Sequence, residues 1–427
     1  MKMTIYISIL LSVLSLFACE KDEPKDNKPP DTTTEEPVLD VVWKQAVYDD
    51  TMGAYFHPPK FAGDYVVFCS KPTFDGKHAG GLVVYDKQTG ERHPAWDHEP
   101  EFDVKYSIKD FEVGGENRDV LFVSSPYKLF AWDLNTGNEL WTIDADHYFD
   151  PEASSFGNYF FQCITPKGND IWSAVLAIDV KTGDVKEVFR DTMVNNYEFH
   201  LYPPSVTVLE NNDTLLIFQK RAWNFGLSDG KVDIYAYNMT ADSVLWKVND
   251  ITQDGNSSVM EGIITGNRYL FQGSNSIRCL DIQTGDILWE DKPGGSFFQQ
   301  KNLYAEGKVF LNTDGGFVYC YDVNTGSQLW ANKQTSACPA GNGTMGYYRG
   351  RLYLTAMQSY GVTENWSRRL KCFSAYTGEV LYTTNYPSQS SYAAGVLIDE
   401  KTGYLYATNM LFALCINLRI DPLANNK

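Results

Sequence analysis

The stretch YCYDVNTGSQLW, residues 319–330, decides the fold because variants of it recur along the chain. The other copies share a turn between two apolar segments that begins with Asp or Asn, or with Ser374 in the last of them. They read VVYDKQTGERHPAW, FAWDLNTGNELW, LAIDVKTGDVKEVF, YAYNMTADSVLW, RCLDIQTGDILW and KCFSAYTGEVLY. The turn threonines lie 46 residues apart between Thr136 and Thr182, and 41 apart between Thr284 and Thr325. Self-similarity at a fixed period of this size indicates a repeat architecture.

Each copy predicts a β-hairpin. Apolar alternation before the Asp indicates one strand, Asp-x-x-Thr-Gly indicates a tight turn with glycine in a left-handed conformation, and a Trp-bearing strand returns. Asp242 replaces the glycine in the fourth copy, and Asp adopts the left-handed conformation more readily than most other residues. Another strand precedes each hairpin, as in DYVVFCS, and still earlier segments such as FHPPKFAG, LYPPSVTV and ACPAGNG are expected to be innermost strands. The repeat therefore has four strands.

An eighth copy is divided between the two ends of the chain. FALCIN near the C-terminus supplies its first half, and LDVVWK at residues 39–44 supplies the Trp-bearing half. Pairing these segments would close a ring and remove free strand edges. The sequence thus predicts an all-β, eight-bladed β-propeller of four-stranded antiparallel blades, spanning residues 38–421 and followed by a short tail at 422–427.

The first residues predict export and lipidation. Lys2 and the apolar run at 5–17 indicate a secretory signal over residues 1–18, and the run is shorter than the roughly 20 residues that span a bilayer. The tetrad ending in Cys19 resembles a bacterial lipobox, which implies cleavage before Cys19, acylation of that residue and anchorage to the cell outer membrane. The alternative is a simple secretory peptide whose small residues end in Cys.

The segment from Cys19 to residue 37 is charged and rich in Pro, so a flexible tether is expected. Its residues 20–23 resemble the acidic export signal of Bacteroidetes surface lipoproteins, although an ordinary solvated linker has the same composition. Periplasmic and surface orientations both remain open. The net charge of -18 disfavours nucleic acid as a partner, because it repels phosphate backbones.

The cysteines fit packing better than disulfide formation. Four of them occupy one repeat position that small apolar residues fill in the other copies, namely Cys279, Cys320, Cys372 and Cys415. Free Cys packs as a small hydrophobe, and equivalent sites on neighbouring blades are expected beyond disulfide reach. Cys69 and Cys163 are assigned one strand earlier, to a position shared with Ser124, Gly273, Thr313, Ala356 and Thr408.

No metal site is predicted, because the six histidines form no zinc-binding pattern. His93 and His98, in HPAWDH, could bring two imidazole rings together, but a polar loop with an incidental pair is the favoured interpretation.

Tryptophans separate into two groups. Trp43, Trp141, Trp246, Trp289 and Trp330, with Tyr382, share the returning-strand position and are expected to pack between blades. Trp172, Trp223 and Trp366 lie outside the repeat, in segments that join the second strand to the third and are predicted as loops on one face. Such tryptophans either bind a partner or cover the channel rim.

Two of these segments, KRAWNFGLSDG and QSYGVTENWSRR, combine Trp with Arg, the side chains most enriched at interface hot spots. We therefore select Arg221, Trp223, Trp366 and Arg368 as candidate partner-binding residues.

The Ala/Cys-x-Asp-x-x-Thr-Gly-x-x-x-Trp signature, over roughly residues 39–421, resembles the quinoprotein-dehydrogenase-like propellers built from PQQ repeats. Within that class the chain resembles the non-enzymatic outer-membrane-assembly lipoproteins. Fold alone does not give function. The favoured hypothesis is a non-catalytic, protein-binding or scaffolding module without a cofactor.

Two alternatives stay open. One is a surface lipoprotein that binds glycans through exposed aromatic residues. The other is a dehydrogenase dependent on the quinone PQQ, although the resemblance implies that such enzymes are larger, bind calcium, place a Trp floor under the quinone and often carry adjacent cysteines. This sequence has no adjacent Cys-Cys pair.

Overall fold

The computed structural model describes residues 38–46, 58–70, 81–96, 110–125, 128–144, 147–166, 172–192, 198–224, 229–251, 262–273, 276–293, 302–313, 317–333, 344–359, 366–385, 395–408 and 412–420. The internal gaps fall between the second and third strands of a blade, or between the last strand of one blade and the first of the next.

The described residues form eight antiparallel sheets, one for each repeat. Blades 1 to 4 contain the strands β2 (Lys60–Ala62), β3 (Tyr65–Ser70) and β4 (Gly81–Asp86); β5 (Asp110–Gly114), β6 (Val120–Ser124), β7 (Lys128–Asp133) and β8 (Glu139–Asp144); β9 (His147–Phe156), β10 (Tyr159–Pro166), β11 (Trp172–Asp179) and β12 (Val185–Thr192); and β13 (Glu198–Leu201), β14 (Ser205–Val208), β15 (Thr214–Asn224), β16 (Asp229–Asn238) and β17 (Ser243–Val248). Blades 5 to 8 contain β18 (Ile263–Thr265), β19 (Arg268–Gln272), β20 (Ile277–Asp281) and β21 (Ile287–Asp291); β22 (Leu303–Ala305), β23 (Lys308–Asn312), β24 (Phe317–Asp322) and β25 (Gln328–Lys333); β26 (Gly346–Tyr348), β27 (Arg351–Ser359), β28 (Trp366–Ser374) and β29 (Val380–Asn385); and β30 (Val396–Asp399), β31 (Tyr404–Thr408) and β32 (Phe412–Asn417), completed by β1 (Val41–Ala46).

Blade 1 departs from the four-stranded plan, since its sheet contains only β2, β3 and β4 within the described residues. The returning segment makes a single bridge between Tyr85 and Arg92 and then enters a short 3-10 helix at Pro94–Trp96. Pro94 has no backbone N–H to donate and thus ends the ladder. Trp96 is nevertheless buried, and its indole N–H donates to Leu134 O of blade 2 at 2.6 Å.

The strands of all blades define two faces. The turns between first and second strands, and the Asp-x-x-Thr-Gly turns between third and fourth strands, lie at one end, which we call the turn face. Connections between second and third strands, and from blade to blade, leave from the opposite end, the connection face. In the turn of blade 6 the Asp322 carboxylate accepts the N–H groups of Asn324 and Thr325 at 2.9 and 2.8 Å, and Gly326 has a φ of 71°. Asp242 adopts the expected left-handed conformation with a φ of 54°.

The repeat tryptophans join consecutive blades, as predicted. The Trp330 indole N–H donates to Ala375 O in blade 7 at 3.1 Å. Its ring lies on the next turn so closely that a Cβ added at Gly378 would come within 2.5 Å of it. The same donation to the carbonyl after the next turn Asp recurs at Trp43, Trp141, Trp246 and Trp289. With Trp96 of blade 1, these tryptophans join blades 1, 2, 4, 5, 6 and 8 to the blade that follows each of them.

Eight buried apolar clusters complete the ring, each formed by two consecutive blades. In the cluster between blades 8 and 1, Trp43 of β1 packs with Phe68 and Tyr85 of blade 1 and with Tyr406 of blade 8. The strand β1 pairs antiparallel with β32, and Trp43 lies opposite Cys415. The predicted closure by the two ends of the chain is confirmed.

The strand register corrects one assignment made from sequence. The position of Cys69 and Cys163 is shared with Ser124 and Thr408, as expected, but in the other blades it holds Gln219, Gln272, Asn312 and Thr355. Gly273, Thr313 and Ala356 come one residue later. The sequence did not predict that this position, which accommodates cysteine, also holds buried amide side chains. Gln272, for example, is only 5% exposed there.

Candidate partner-binding face

Among the described residues, three blades have the longest central strands toward the connection face. The central strands of blade 4, β15 and β16, have 11 and 10 residues, and those of blade 7, β27 and β28, have 9 each. In blade 3, β10 and β11 have 8 residues each, whereas β19 and β20 of blade 5 have 5. Because all strands share the turn-face end, the extra residues project from the connection face.

The long hairpins lie on opposite sides of the ring. Blades 3 and 4 are neighbours and share one buried cluster. Blade 7 is four positions from blade 3 in a closed ring of eight. We call the two projections the blade 3–4 wall and the blade 7 wall. We refer to the space between the two walls, on the connection face, as the cleft.

An additional strand strengthens the blade 3–4 wall. Pro203 and Pro204 interrupt the innermost strand of blade 4, so β14 pairs with the beginning of β15 and β13 pairs with its far end. The β13 segment also packs on blade 3, where His200 Nδ1 lies 3.2 Å from the Thr165 hydroxyl and the Leu201 N–H donates to Ser173 Oγ at 3.3 Å. These contacts hold the projecting hairpin in place.

The same wall contains a half-buried ionic group between the two blades. Lys220 Nζ lies 2.7 Å from Asp191 Oδ2, and the Tyr235 hydroxyl donates to the same oxygen at 2.9 Å. Burial alone would raise the pKa of Asp191, but the charge and hydrogen bond of Lys220 and the hydrogen bond of Tyr235 lower it overall. Burial and the neighbouring Asp191 raise the pKa of Tyr235. The group is thus a fixed ion pair between blades.

The structure corrects the environment expected for the four candidate binding residues, which lie in strands and not in loops. Arg221 pairs with Val232 and Trp223 with Gly230, both in blade 4. Trp366 and Arg368 are the first and third residues of β28 in blade 7. These strands extend because each has a paired neighbour along its whole length.

The spacing of each pair is favourable for a common surface. Residues two apart on a strand share one face of the sheet, so the positions of Arg221 and Trp223 are on one side of their hairpin, as are those of Trp366 and Arg368. Each wall therefore contains one Arg and Trp pair. Cys19 lies outside the described residues.

Trp172, the third tryptophan outside the repeat, packs within blade 3. The Arg190 guanidinium lies 3.8 Å from the centre of its ring, and His147 makes an edge contact at 4.9 Å. Glu187 holds Arg190 through a hydrogen bond of 2.9 Å. Sequence reasoning missed this arrangement, because the residues come from three different strands.

A cavity of about 280 Å³ lies among the innermost strands of blades 6, 7 and 8 and the segment preceding β2. Its lining is mainly apolar, including Leu303, Met345 and Ile398, with Asn302, Thr344, Tyr347 and Glu400 as the polar side chains. The Asn302 side-chain oxygen is buried and accepts no hydrogen bond from the described residues. Such a space suits a small neutral group.

The described lining of this cavity offers no cationic group to PQQ, the quinone of the dehydrogenase alternative. That quinone carries carboxylates, but the described residues around the cavity include no Lys or Arg and one acidic residue, Glu400. A buried anion without a cationic partner is strongly disfavoured.

Other ionisable groups serve the fold. No group of three or more His, Cys, Asp or Glu side chains with the arrangement of a metal site occurs in the described ranges. His93 is buried against Tyr65, which lowers its pKa, and its Nδ1 accepts the Ala95 N–H at 3.1 Å. His98 lies outside the described residues. Within the described part of the chain, no helix has the length and apolar character to span a bilayer.

Comparisons with known proteins agree with the architecture. A family model described as outer membrane protein assembly factor BamB matches residues 229–409. No curated protein sequence matches the chain.

Two solved structures illustrate the range of similar folds. BamB from Moraxella catarrhalis is 13% identical with a TM-score of 0.57, covering 89% of this chain and 100% of that one. A quinohemoprotein alcohol dehydrogenase from Comamonas testosteroni is 11% identical with a TM-score of 0.62, covering 90% of this chain and 77% of that one. The chain is therefore an eight-bladed propeller, and the match of residues 229–409 confirms its predicted resemblance to the assembly factor BamB.

Proposed function

We propose that this protein is a non-catalytic propeller of the bacterial cell envelope that binds a protein partner across the cleft between its two walls. The single observation that carries the proposal is the extension of hairpins on opposite sides of one face, each with an Arg and Trp pair. The similarity to an outer-membrane assembly factor supports a scaffolding role. Acylated Cys19 would hold the propeller at the outer membrane.

The chemistry of the walls favours an acidic partner segment. The candidate positions near the far ends of the two long hairpins include Arg221 and Arg368, whereas the whole chain has a net charge of -18. A basic patch on an acidic protein steers an acidic segment toward it and raises the association rate more than the final affinity. Binding should therefore slow as salt concentration rises.

The test is capture of partners from solubilised envelopes with Trp223→Ala combined with Trp366→Ala. We expect the double variant to lose its partner while its melting temperature stays near that of the wild type. Leu329→Ala on the turn face is a matched control that should capture normally. A double variant that retains its partner would refute the proposed site, and one that melts early would show that these residues support packing.

The enzymatic alternative is tested separately by adding calcium and PQQ and measuring the quinone spectrum with a dye-linked oxidation assay. We expect no stoichiometric uptake, because the cavity among blades 6, 7 and 8 has no Lys or Arg among its described lining residues. Stoichiometric binding with substrate-dependent dye reduction would replace the scaffolding proposal. Glycan binding stays a prediction for glycan arrays.

A further inference from the structure

The cavity among the innermost strands of blades 6, 7 and 8 has the size of a small ligand site. Its volume of about 280 Å³ is near the lower end of the roughly 300 to 1,000 Å³ of ordinary ligand pockets. It is also well above the roughly 150 Å³ that holds one benzene molecule. A guest that consists of one ring with a small substituent therefore matches the space.

The cavity lies along the inner wall of the ring and extends to the turn face. Its lining includes Pro59, Asn302 and Thr344, near the connection-face ends of the innermost strands, and Glu400 in the turn after β30. The loops of the turn face between consecutive strands of a blade all belong to the described residues. Because Glu400 is exposed, this end of the cavity meets solvent.

Two of the polar side chains in the lining are committed to the fold. The Val396 N–H donates to Thr344 O at 3.1 Å, and the Thr344 hydroxyl donates to Val396 O at 2.7 Å, which joins blades 7 and 8 directly. The Tyr347 hydroxyl accepts the Gly350 N–H at 2.9 Å and also bonds the Glu306 carboxylate. Neither hydroxyl is therefore open to a guest.

Asn302 is the buried polar group that remains. Its side-chain oxygen has no hydrogen-bond donor among the described residues, and leaving a buried acceptor unpaired is costly. A water molecule at that oxygen would need roughly two to four polar partners, whereas most of the described lining is apolar, including Leu303, Met345 and Ile398. A molecule with an apolar body and one hydroxyl group matches this lining better than water does.

We propose that this cavity binds an uncharged monocyclic alcohol, with the hydroxyl group of the ligand on Asn302 Oδ1 and its ring against Met345 and Ile398. An anion is disfavoured because the described lining has no Lys or Arg. A cation is disfavoured because the one carboxylate of that lining, Glu400, belongs to an exposed residue and stays hydrated. The cavity is separate from the two walls, so this inference stands whether or not the walls bind a protein.

The test follows the methyl signal of Met345 by NMR in the full chain with 13C-methyl methionine, and Met345→Leu assigns that signal. Four probes share one ring and differ in charge or in the hydroxyl group, namely benzyl alcohol, toluene, benzoate and benzylammonium. Benzyl alcohol should shift the Met345 signal saturably and leave Met239, which packs between blades 3 and 4, unchanged. Toluene should bind about threefold to tenfold more weakly, because it lacks the hydrogen bond. Benzoate and benzylammonium should bind more weakly than benzyl alcohol.

Two variants establish where the probe binds. Asn302→Leu replaces the acceptor with an apolar group of similar size, so benzyl alcohol and toluene should then bind equally. Ile398→Phe adds volume at a half-buried position of the lining and should abolish the binding of both. Thermal unfolding checks that each variant is folded. If Ile398→Phe melts early, the loss of selectivity in Asn302→Leu decides the hydroxyl contact.

Four results would overturn the inference. An unshifted Met345 signal with benzyl alcohol would show that the cavity takes no such ligand. Equal binding of toluene and benzyl alcohol to the wild type would show that Asn302 does not select a hydroxyl group. Tighter binding of benzoate or benzylammonium would assign the cavity to a charged ligand. Unchanged binding to a folded Ile398→Phe variant would place the probe elsewhere.

Discussion

Trp43 gives the most direct stability test of ring closure. It lies on the N-terminal strand β1 and packs between blades 8 and 1. Replacing it with Ala removes a side chain that is 6% exposed, three aromatic contacts and the indole hydrogen bond to Lys87 O at 3.1 Å. Truncating a buried Trp costs about 3 to 5 kcal/mol. For roughly 390 residues the unfolding entropy is about 0.8 kcal/mol/K, so the melting temperature should fall by about 4 to 6 °C.

The assay is thermal unfolding followed by circular dichroism in detergent, with Val42→Ala as the control on the same strand. Val42 is 38% exposed, and its truncation should change the free energy of unfolding by less than about 0.5 kcal/mol. Deleting residues 39–44 should destabilise the ring more than either substitution. If Trp43→Ala melts with the wild type, the N-terminal strand does not close the ring and the reasoning fails.

Two turn glycines provide a matched pair of substitutions. Gly326→Ala should lower the free energy of unfolding by well over the roughly 1 to 2 kcal/mol that a left-handed Ala costs, because its Cβ would lie 2.5 Å from a tryptophan ring. The Cβ of Gly307→Ala meets nothing within 4 Å, so chemical denaturation of the two variants measures the cost of the ring contact. Asp191→Asn should cost about 1 to 3 kcal/mol at pH 7. Because the pKa of Asp191 is below its ordinary 3.8, the wild-type advantage should be full above about pH 4 and shrink as the pH falls further, and an advantage that does not change with pH below 4 would contradict the ion pair. Burial raises the pKa of Cys320 to about 12, so at pH 8 a thiol reagent should label the described cysteines only after unfolding.

The sequence was sufficient to predict the blades and their closure, because the information is local and repeated. Each Asp-x-x-Thr-Gly turn is built from hydrogen bonds within five residues, and each Trp makes the same contact one blade later. The missing fourth strand of blade 1 also has a local cause, which is Pro94. Only the structure shows that Trp96 still makes the tryptophan contact to the next blade. Strand propensity alone does not predict the conformation of a segment that leaves the sheet, such as the 3-10 helix at Pro94–Trp96.

The candidate site was predicted less well, because it depends on pairing between distant segments. The residues around Trp366 contain Gly and Asn, which indicate a loop, yet β27 and β28 pair as far as Ser359 and Trp366. The second strand of blade 4 extends because β13, beyond a Pro-Pro break, supplies its far neighbour. Neither pairing is visible in local alternation, because tertiary context overrides turn propensity.

The central claim is that the cleft between the two walls binds a protein partner while the turn face does not. The most direct measurement is photo-cross-linking in living cells, with a photoreactive amino acid placed at 221 or 366 in the walls, or at 181 in the turn of blade 3. We predict one shared cross-linked protein from positions 221 and 366 and none from 181. Cross-links to that protein only from 181, or none from either wall, would contradict the account.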